Sequence, residues 1–239
     1  MKYAITIITL FTLFSCNAQT IKVTYSEKID LSEKLKSIDN PMIKQMIIEK
    51  TGKPKYYELI SSKGISIYQK HKNEEENVDN EITMIGGSKK NILYKNFNDK
   101  TFIKQVDFMS RTFLIEDKLQ KIDWKMTEET QKIGEYLCRK AILKKGDNEI
   151  AAWFTNEIPS NDGPRGYFGL PGLILEIKTG MVTVKATNIS ISKEKAKIQK
   201  PSKGKKVTQK EFEKIRKEKM DELIGNKKQN GEGVQFIKM

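Results

Sequence analysis

The sequence predicts an α+β protein that is mainly β. We expect a curved antiparallel meander sheet, preceded by a broken helix and followed by a C-terminal helix. Two observations support this prediction. Between residues 54 and 155, short segments with alternating apolar residues are separated by turn signals, which is typical of consecutive antiparallel strands and not of βαβ units. Apolar residues at helical spacing occur only before this region and near the end of the chain.

The first 18 residues are predicted to be a cleavable export signal. Lys2 precedes an apolar stretch, Ala4–Ser15, which is too short at twelve residues to span a bilayer. Two processing sites remain open. Cleavage after Ala18 would release the protein, whereas residues 13–16 are typical of a lipobox, in which Cys16 would be lipidated and would hold the protein at a membrane. The expected location is the periplasm, the outer membrane or the exterior.

A broken helix is predicted after a first strand at residues 20–29. Asp30 is the expected N-cap of its first part, with Glu33 completing a capping box. Asn40 and Pro41 favour a restart, and Gly52 favours an end. The apolar stripe of the second part is expected to belong to the core, with an adaptable ligand surface as the alternative; it consists of Met42, Ile43, Met46 and Ile47.

The period of the apolar pattern then changes to two. Strands are expected near residues 54–61, 64–70, 81–85, 90–95, 100–106, 111–116, 121–126, 135–144 and 148–155, followed by a hairpin of 172–178 and 181–191. Turns are expected at Gly64, Gly86–Gly87, Asn98–Asp99, Gly146–Asp147 and Thr179–Gly180.

The C-terminal part of the chain is strongly basic. The net charge is +13, and residues 193–206 contain seven lysines against one acidic residue, Glu194. We interpret this segment as a solvated flexible linker, with contact to an anionic membrane surface as the alternative. Nucleic acid is not an expected partner, because no aromatic residue lies among these lysines. A helix is expected from the capping box of Thr208 and Glu211 to Gly225. The predicted divisions are 1–18, 19–192 and 193–239.

Ordered motifs occur between Phe113 and Ile177. They include Trp153-Phe154-Thr155, then Ile158-Pro159 and Gly163-Pro164, and finally the hexapeptide GLPGLI at residues 169–174. This segment resembles the GLPGLI family, a group of exported proteins of Gram-negative bacteria. The resemblance implies no particular activity, cofactor or catalytic residue. In outline, the predicted layout is also similar to the half-barrel of lipoprotein carriers.

The hexapeptide has a physical interpretation of its own. Pro171 and Gly172 suit the central positions of a type II turn, in which Gly172 would take a positive φ. Leu170 and Leu173 would then bury their side chains against the sheet. The turn either locks a corner of the core or forms the rim of an apolar ligand-binding cleft. The candidate residues of this cleft are Trp153, Phe154, Tyr167, Phe168, Leu170 and Leu173, and the motif itself is Gly169, Leu170, Pro171, Gly172, Leu173 and Ile174.

The sequence offers little support for catalysis. Cys138 and the only histidine, His71, lie in unrelated contexts, and we interpret Cys138 as a small residue of a strand. Glu157 and Asp162 could form an acid–base pair, but acidic pairs are common in a chain this charged. We therefore expect no enzyme activity, no metal site and no cofactor.

Three function classes are compatible with these observations. The first is a non-enzymatic binding or carrier module of the cell envelope for an apolar ligand or a peptide. The second is an envelope interaction or assembly protein that uses the basic C-terminal region. A hydrolase is the least supported.

Overall fold

We describe the fold from a computed structural model, which covers residues 19–71, 91–146 and 148–229. The predicted export signal, Cys16, the strand expected at 81–85 and the turn expected at Gly86–Gly87 lie outside the described residues. The helices are α1 (Ser32–Lys36), α2 (Pro41–Thr51) and α3 (Gln209–Gln229). The strands are β1 (Thr20–Ile29), β2 (Lys55–Ser62), β3 (Ile65–Lys70), β4 (Ile92–Asn96), β5 (Thr101–Phe108), β6 (Arg111–Lys118), β7 (Lys125–Ile133), β8 (Tyr136–Lys145), β9 (Asn148–Thr155), β10 (Leu173–Thr179), β11 (Val182–Ser192) and β12 (Lys205–Val207).

All twelve strands of the described residues belong to one sheet, which confirms the predicted β-rich fold class. Their order is β12-β6-β5-β4-β3-β2-β1-β11-β10-β9-β8-β7. Every neighbouring pair is antiparallel except β12 and β6, which run parallel. The first strand therefore lies in the interior of the sheet, between β2 and β11, with one meander on each side.

The sheet is strongly curved. β6 and β7 are ten positions apart in the strand order, which would separate them by roughly 48 Å in a flat sheet. Only residues 119–124 connect them along the chain, and such a link reaches at most about 25 Å. The sheet must therefore curl toward itself, like an open half-barrel.

Of the helix signals predicted before β2, those at Asn40 and Gly52 agree with the structure, and the one at Asp30 does not. Asn40 caps α2, since its Oδ1 accepts hydrogen bonds from the backbone N–H groups of Met42 (3.0 Å) and Ile43 (3.3 Å), and Gly52 follows the last residue of the helix. The capping box predicted at Asp30 and Glu33 is wrong. α1 starts later and has no side-chain cap, because Asp30 Oδ1 accepts from Ser32 N instead (3.0 Å).

The apolar stripe of α2 is not part of the core. Met42, Ile43 and Met46 are exposed, and Ile47 is half-buried. The prediction that these residues belong to an ordinary core is therefore wrong. Helical spacing identified the stripe correctly, but spacing alone does not place a partner against it.

Most strand predictions are confirmed to within two residues at their ends. The strand expected at 121–126 is wrong, because β7 spans Lys125–Ile133. Its residues are mostly polar and exposed, so the apolar alternation that marks the other strands is missing.

The basic segment is held against the sheet instead of forming a flexible linker throughout. The Thr20 hydroxyl donates to the Glu194 carbonyl (2.5 Å), and Pro201 is buried. Lys205–Val207 then forms β12, a strand that the sequence pattern does not predict. The capping box of Thr208 and Glu211 is confirmed, with Thr208 N donating to Glu211 Oε2 (2.7 Å) and Glu211 N donating to Thr208 Oγ1 (3.2 Å). The predicted end at Gly225 is wrong, since α3 continues to Gln229.

Three apolar clusters stabilise the fold. The largest joins β1 to the strands on both sides and includes Val23, Tyr25, Leu59, Trp153, Leu173 and Leu175. The second includes Ala152, Phe154, Leu170, Ile174 and Ile177. The third attaches α3 through Phe212, which packs on Phe108 and Phe113.

Candidate functional site

The hexapeptide lies at the end of the connection between the neighbouring strands β9 and β10. We call residues 156–172, between β9 and β10, the motif loop. Backbone hydrogen bonds fold it back on itself, from Gly169 N to Asn161 O (2.7 Å) and from Tyr167 N to Pro164 O (3.0 Å). A further bond from Ile174 N to Asp162 O (3.0 Å) ties the loop to β10. It is therefore an ordered element of the fold.

The turn at Pro171 differs from the prediction. A hydrogen bond from Gly172 N to Leu170 O (2.8 Å) closes a three-residue γ-turn centred on Pro171. The positive φ lies at Gly169 (91°), and Gly172 is not among the residues with positive φ. The predicted type II turn is therefore wrong.

Gly172 is required by close packing. A Cβ atom added there would lie 2.0 Å from the carbonyl oxygen of Thr155, which is a backbone atom that cannot rotate away. Leu170 and Leu173, on either side of the turn, are 2% and 0% exposed. This confirms that both leucines bury their side chains.

The four aromatic residues predicted near the turn occupy different environments. Trp153 and Phe154 are buried in the first and second apolar clusters. Tyr167 and Phe168 are half-buried; the Tyr167 ring packs on Trp124 at 6.0 Å, and the Phe168 ring packs edge-on to Phe97 at 5.6 Å. The structure thus places these side chains in the packing around the loop.

A cleft of about 420 Å³ lies against the turn, and it is open to solvent. The turn contributes Leu170, Pro171 and Gly172 to one part of its wall. The rest of the lining is Gln19, Ile21, Ser61, Ser62, Lys63, Gly64, Phe97, Pro159, Ser160 and Asn161. Apolar side chains and hydrogen-bonding groups are therefore mixed around the cleft.

The sequence could not reveal most of this lining. The residues come from the start of β1, the β2–β3 turn, the end of β4 and the motif loop, and none of these segments has a motif that points to the others. Of the lining residues, only those of the turn itself are predicted from the sequence.

A buried ion pair lies beneath the motif loop. The Lys95 ammonium contacts Asp162 Oδ1, and the two side chains are 1% and 0% exposed. The rings of Phe97 and Phe168 flank the ammonium, with centroids at 5.8 and 6.0 Å. A signal for Lys95 was present in the sequence, because it shares the inward spacing of Leu93 and Phe97 in a strand.

Two buried tyrosines lie in the same interior. Tyr25 donates its hydroxyl hydrogen to the carbonyl of Ile174 (2.7 Å), whereas the Tyr68 hydroxyl has no hydrogen-bond partner among the described residues. Burial raises the pKa of both phenols well above the ordinary value, and the charge of Asp162 adds to the shift at Tyr25. Both hydroxyls therefore stay protonated.

The residues considered for catalysis are not brought together. Cys138 lies in a strand, β8, as predicted, but it is fully buried, and burial raises the pKa of its thiol to about 11. His71 follows β3 and donates its backbone N–H to Tyr56 O (2.9 Å). Glu157 accepts from Leu137 N (2.9 Å), while Asp162 faces Lys95. In the described ranges, no group of three His, Cys, Asp or Glu residues could hold a metal ion.

Comparisons with known proteins give a family likeness and a fold. Residues 144–176 match the model of a family described as "Protein of unknown function (Porph_ging)". This match covers the end of β8, β9, the motif loop and the start of β10. No curated protein matches the sequence.

Solved structures with a similar fold include PNGF-II in two crystal forms. The form in space group C2 has a TM-score of 0.57 and the form in P21 a TM-score of 0.58, both at 19% sequence identity. The alignment covers 83% of this chain but 33% of PNGF-II, so this chain spans about a third of that protein's length. The likeness supports the curved-sheet fold.

No helix in the described region is both long enough and apolar enough to cross a bilayer.

Proposed function

We propose that this protein is a non-enzymatic binding module exported to the cell envelope, and that the cleft beside the motif loop binds a short extended peptide. The observation that carries the proposal is the mixed lining of the cleft. Ile21, Phe97 and Leu170 can bury an apolar side chain, while Gln19 and Asn161 offer amide groups to a peptide backbone.

The same lining favours a peptide over an acyl chain. A lipid-binding cavity is lined almost entirely by apolar side chains, because each unpaired polar group beside a hydrocarbon costs free energy. Here serines, glutamine and asparagine take up much of the wall. The volume of about 420 Å³ is suited to a few residues.

Terminally blocked tripeptides with a central Leu, Phe or Val provide the test. Their binding to the full chain would be followed by chemical-shift changes in NMR. We expect Asn161→Trp to fill the cleft and to weaken binding at least tenfold. Asn156→Trp is the matched control, since Asn156 is an exposed asparagine of the same loop that does not line the cleft.

Two results would contradict this proposal. One is equal binding by both tryptophan variants. The other is absence of peptide binding together with uptake of a fluorescent fatty acid, which would support a carrier of apolar ligands instead.

A second candidate is interaction with an anionic membrane surface or an envelope protein through residues 193–206. It is favoured by the exposure of all seven lysines in this segment. Deleting the segment would also remove β12, so charge substitution is the cleaner test. We expect Lys195→Gln, Lys197→Gln and Lys203→Gln together to weaken binding to phosphatidylglycerol vesicles roughly tenfold or more at low salt.

The control for this experiment neutralises three exposed lysines elsewhere, at Lys125, Lys132 and Lys145. If both triple variants lose the same affinity for the vesicles, the overall positive charge of the protein, and not residues 193–206 in particular, would be responsible for membrane binding.

A further inference from the structure

We propose that Lys95 and Asp162 become joined by an amide bond between Lys95 Nζ and Asp162 Cγ. This bond would form within the folded chain and would link β4 covalently to the motif loop. It requires contact between the two groups and exclusion of water, and the structure shows both.

The two side chains are held in contact by their surroundings. Lys95 Nζ touches Asp162 Oδ1 and also donates to the carbonyl oxygen of Gly163 (3.3 Å). The rings of Phe97 and Phe168 lie beside the nitrogen. An amine held against a carboxyl group in this way reacts as an intramolecular partner, which greatly raises its effective concentration.

Water is excluded from the pair. The side chains are 1% and 0% exposed, so bulk water does not reach the pair and cannot readily hydrolyse an amide formed there. The same burial makes the unreacted pair costly, because two charges are withdrawn from water. An amide is neutral and avoids this cost.

The two oxygens of Asp162 have different environments. Oδ1 accepts a hydrogen bond from Gly163 N (2.7 Å), whereas Oδ2 is buried with no partner in the described part of the chain. An unpaired buried carboxylate oxygen is rare and unfavourable. In the amide product Oδ1 remains as the carbonyl oxygen, with its hydrogen bond, and Oδ2 is the atom that leaves.

The condensation balances without any added reactant. One proton passes from the Lys95 ammonium to the Asp162 carboxylate, which leaves an amine and a carboxylic acid. The amine lone pair then attacks Cγ, forming the C–N bond, and the Cγ–Oδ2 bond breaks. The departing hydroxyl takes a proton from the nitrogen and leaves as water. Gly163 N–H stabilises the negative charge that develops on Oδ1 during the attack.

The test is mass spectrometry of the full chain, first intact and then after digestion. We expect the purified protein to be lighter by one water molecule than its mature sequence. After digestion, the peptides that contain Lys95 and Asp162 should appear as one branched species. Asp162→Ala and Lys95→Met should each restore the full mass, and because the measurement is made on denatured protein, it does not depend on whether these variants fold.

Lys140→Met is the matched control. Lys140 pairs with Glu129 at 2.8 Å, but Glu129 is 58% exposed, so water is present and no amide should form. The mass deficit should persist in this variant.

Two outcomes would overturn the proposal. The first is a full-mass protein in which Lys95 is acetylated by acetic anhydride after unfolding. The second is a loss of one water that maps to Asp162–Gly163 alone with Lys95 still free, because that result would indicate a succinimide instead of a cross-link.

Discussion

Single glycines of the hexapeptide carry different structural constraints. Gly169 has a φ of 91° with no atom within 4 Å of an added Cβ, whereas Gly172 lies against the Thr155 carbonyl. The first constraint concerns backbone conformation and the second concerns space. The two positions therefore form a natural comparison.

We expect Gly172→Ala to destabilise the protein by roughly 3 kcal/mol or more, because the new methyl group would overlap a backbone oxygen. Gly169→Ala should cost only about 1 kcal/mol, the usual penalty for a non-glycine residue at positive φ. Urea denaturation of both variants measures the difference. Equal losses would show that β9 and the turn separate easily.

Cys138 should make the protein less stable in alkali. Burial raises the pKa of its thiol to about 11, and the charges of Glu157 and Glu176 add to the shift. In the unfolded chain the thiol ionises near its ordinary value of 9.0. The folded state thus binds more protons between these values, and its advantage is complete below pH 9 and is lost as the pH rises toward 11.

The corresponding measurement is urea denaturation of wild type and Cys138→Ala at pH 8 and pH 11. Between these conditions we expect the wild type to lose up to roughly 2 kcal/mol more than the variant. The buried tyrosines are common to both proteins and cancel in the comparison. Parallel losses would contradict the prediction.

For individual residues, the sequence predicts burial better than it predicts backbone geometry. Leu170 and Leu173 are buried as expected, since two exposed leucines on a turn would be unfavourable. The same Pro-Gly pair, however, fits both a type II turn and a γ-turn. The choice depends on the nearby Thr155 carbonyl, which lies on another strand.

Among the elements, α3 depends on one aromatic anchor. Phe212 is 7% exposed and packs edge-on to Phe108 and Phe113, with ring centroids 5.9 and 5.3 Å away. Most of the other described side chains of the helix are exposed. The attachment of the helix therefore rests on a small contact.

We expect Phe212→Ala to lower the free energy of unfolding by about 3 kcal/mol and to expose α3 to proteolysis. Lys214→Ala, at an exposed position of the same helix, should have little effect and serves as the control. Limited trypsin digestion compares the two variants. If α3 is cleaved at the wild-type rate in both variants, contacts other than those of Phe212 hold the helix in place.

The strands that the sequence pattern does not predict lack a regular alternation of apolar and polar residues. β12 is three residues long and pairs in parallel with β6, so it has no room for an alternating pattern. β7 lies at the sheet edge and is polar on most positions. The strands with one buried face, such as β5 and β8, were predicted well because burial imposes a period of two.

For the whole molecule, β12 and α3 protect one edge of the sheet. β12 covers β6, in which Phe113, Leu114 and Ile115 are buried. Removing this cover would leave backbone donors and acceptors unpaired beside apolar side chains, which is a typical site of self-association.

We therefore expect deletion of residues 193–239 to produce dimers or larger species. Size-exclusion chromatography with light scattering provides the measurement. Deletion of residues 230–239 alone should leave the elution of the full chain unchanged. A truncated protein that behaves like the full chain would show that the β6 edge is protected by other means.

The fold class was predictable from sequence, but the candidate site was not. A meander is a local pattern, in which each strand pairs with the next, and turn residues mark every connection. The cleft and the Lys95–Asp162 pair join segments far apart in the chain, and the pair alone spans 67 positions. Such contacts follow from curvature of the whole sheet, which no local pattern encodes.

The interior place of β1 also affects how the chain acquires its structure. Thr20 pairs with Ser192 in the register of β1 and β11. One edge of β1, the first described strand, therefore pairs only after β11, near the end of the sheet-forming sequence, has been synthesised. Contacts this distant slow folding, because a long loop must close before they form. Until residue 192 has been synthesised, one edge of β1 in the nascent chain has no partner strand, although β2 can already pair with the other edge.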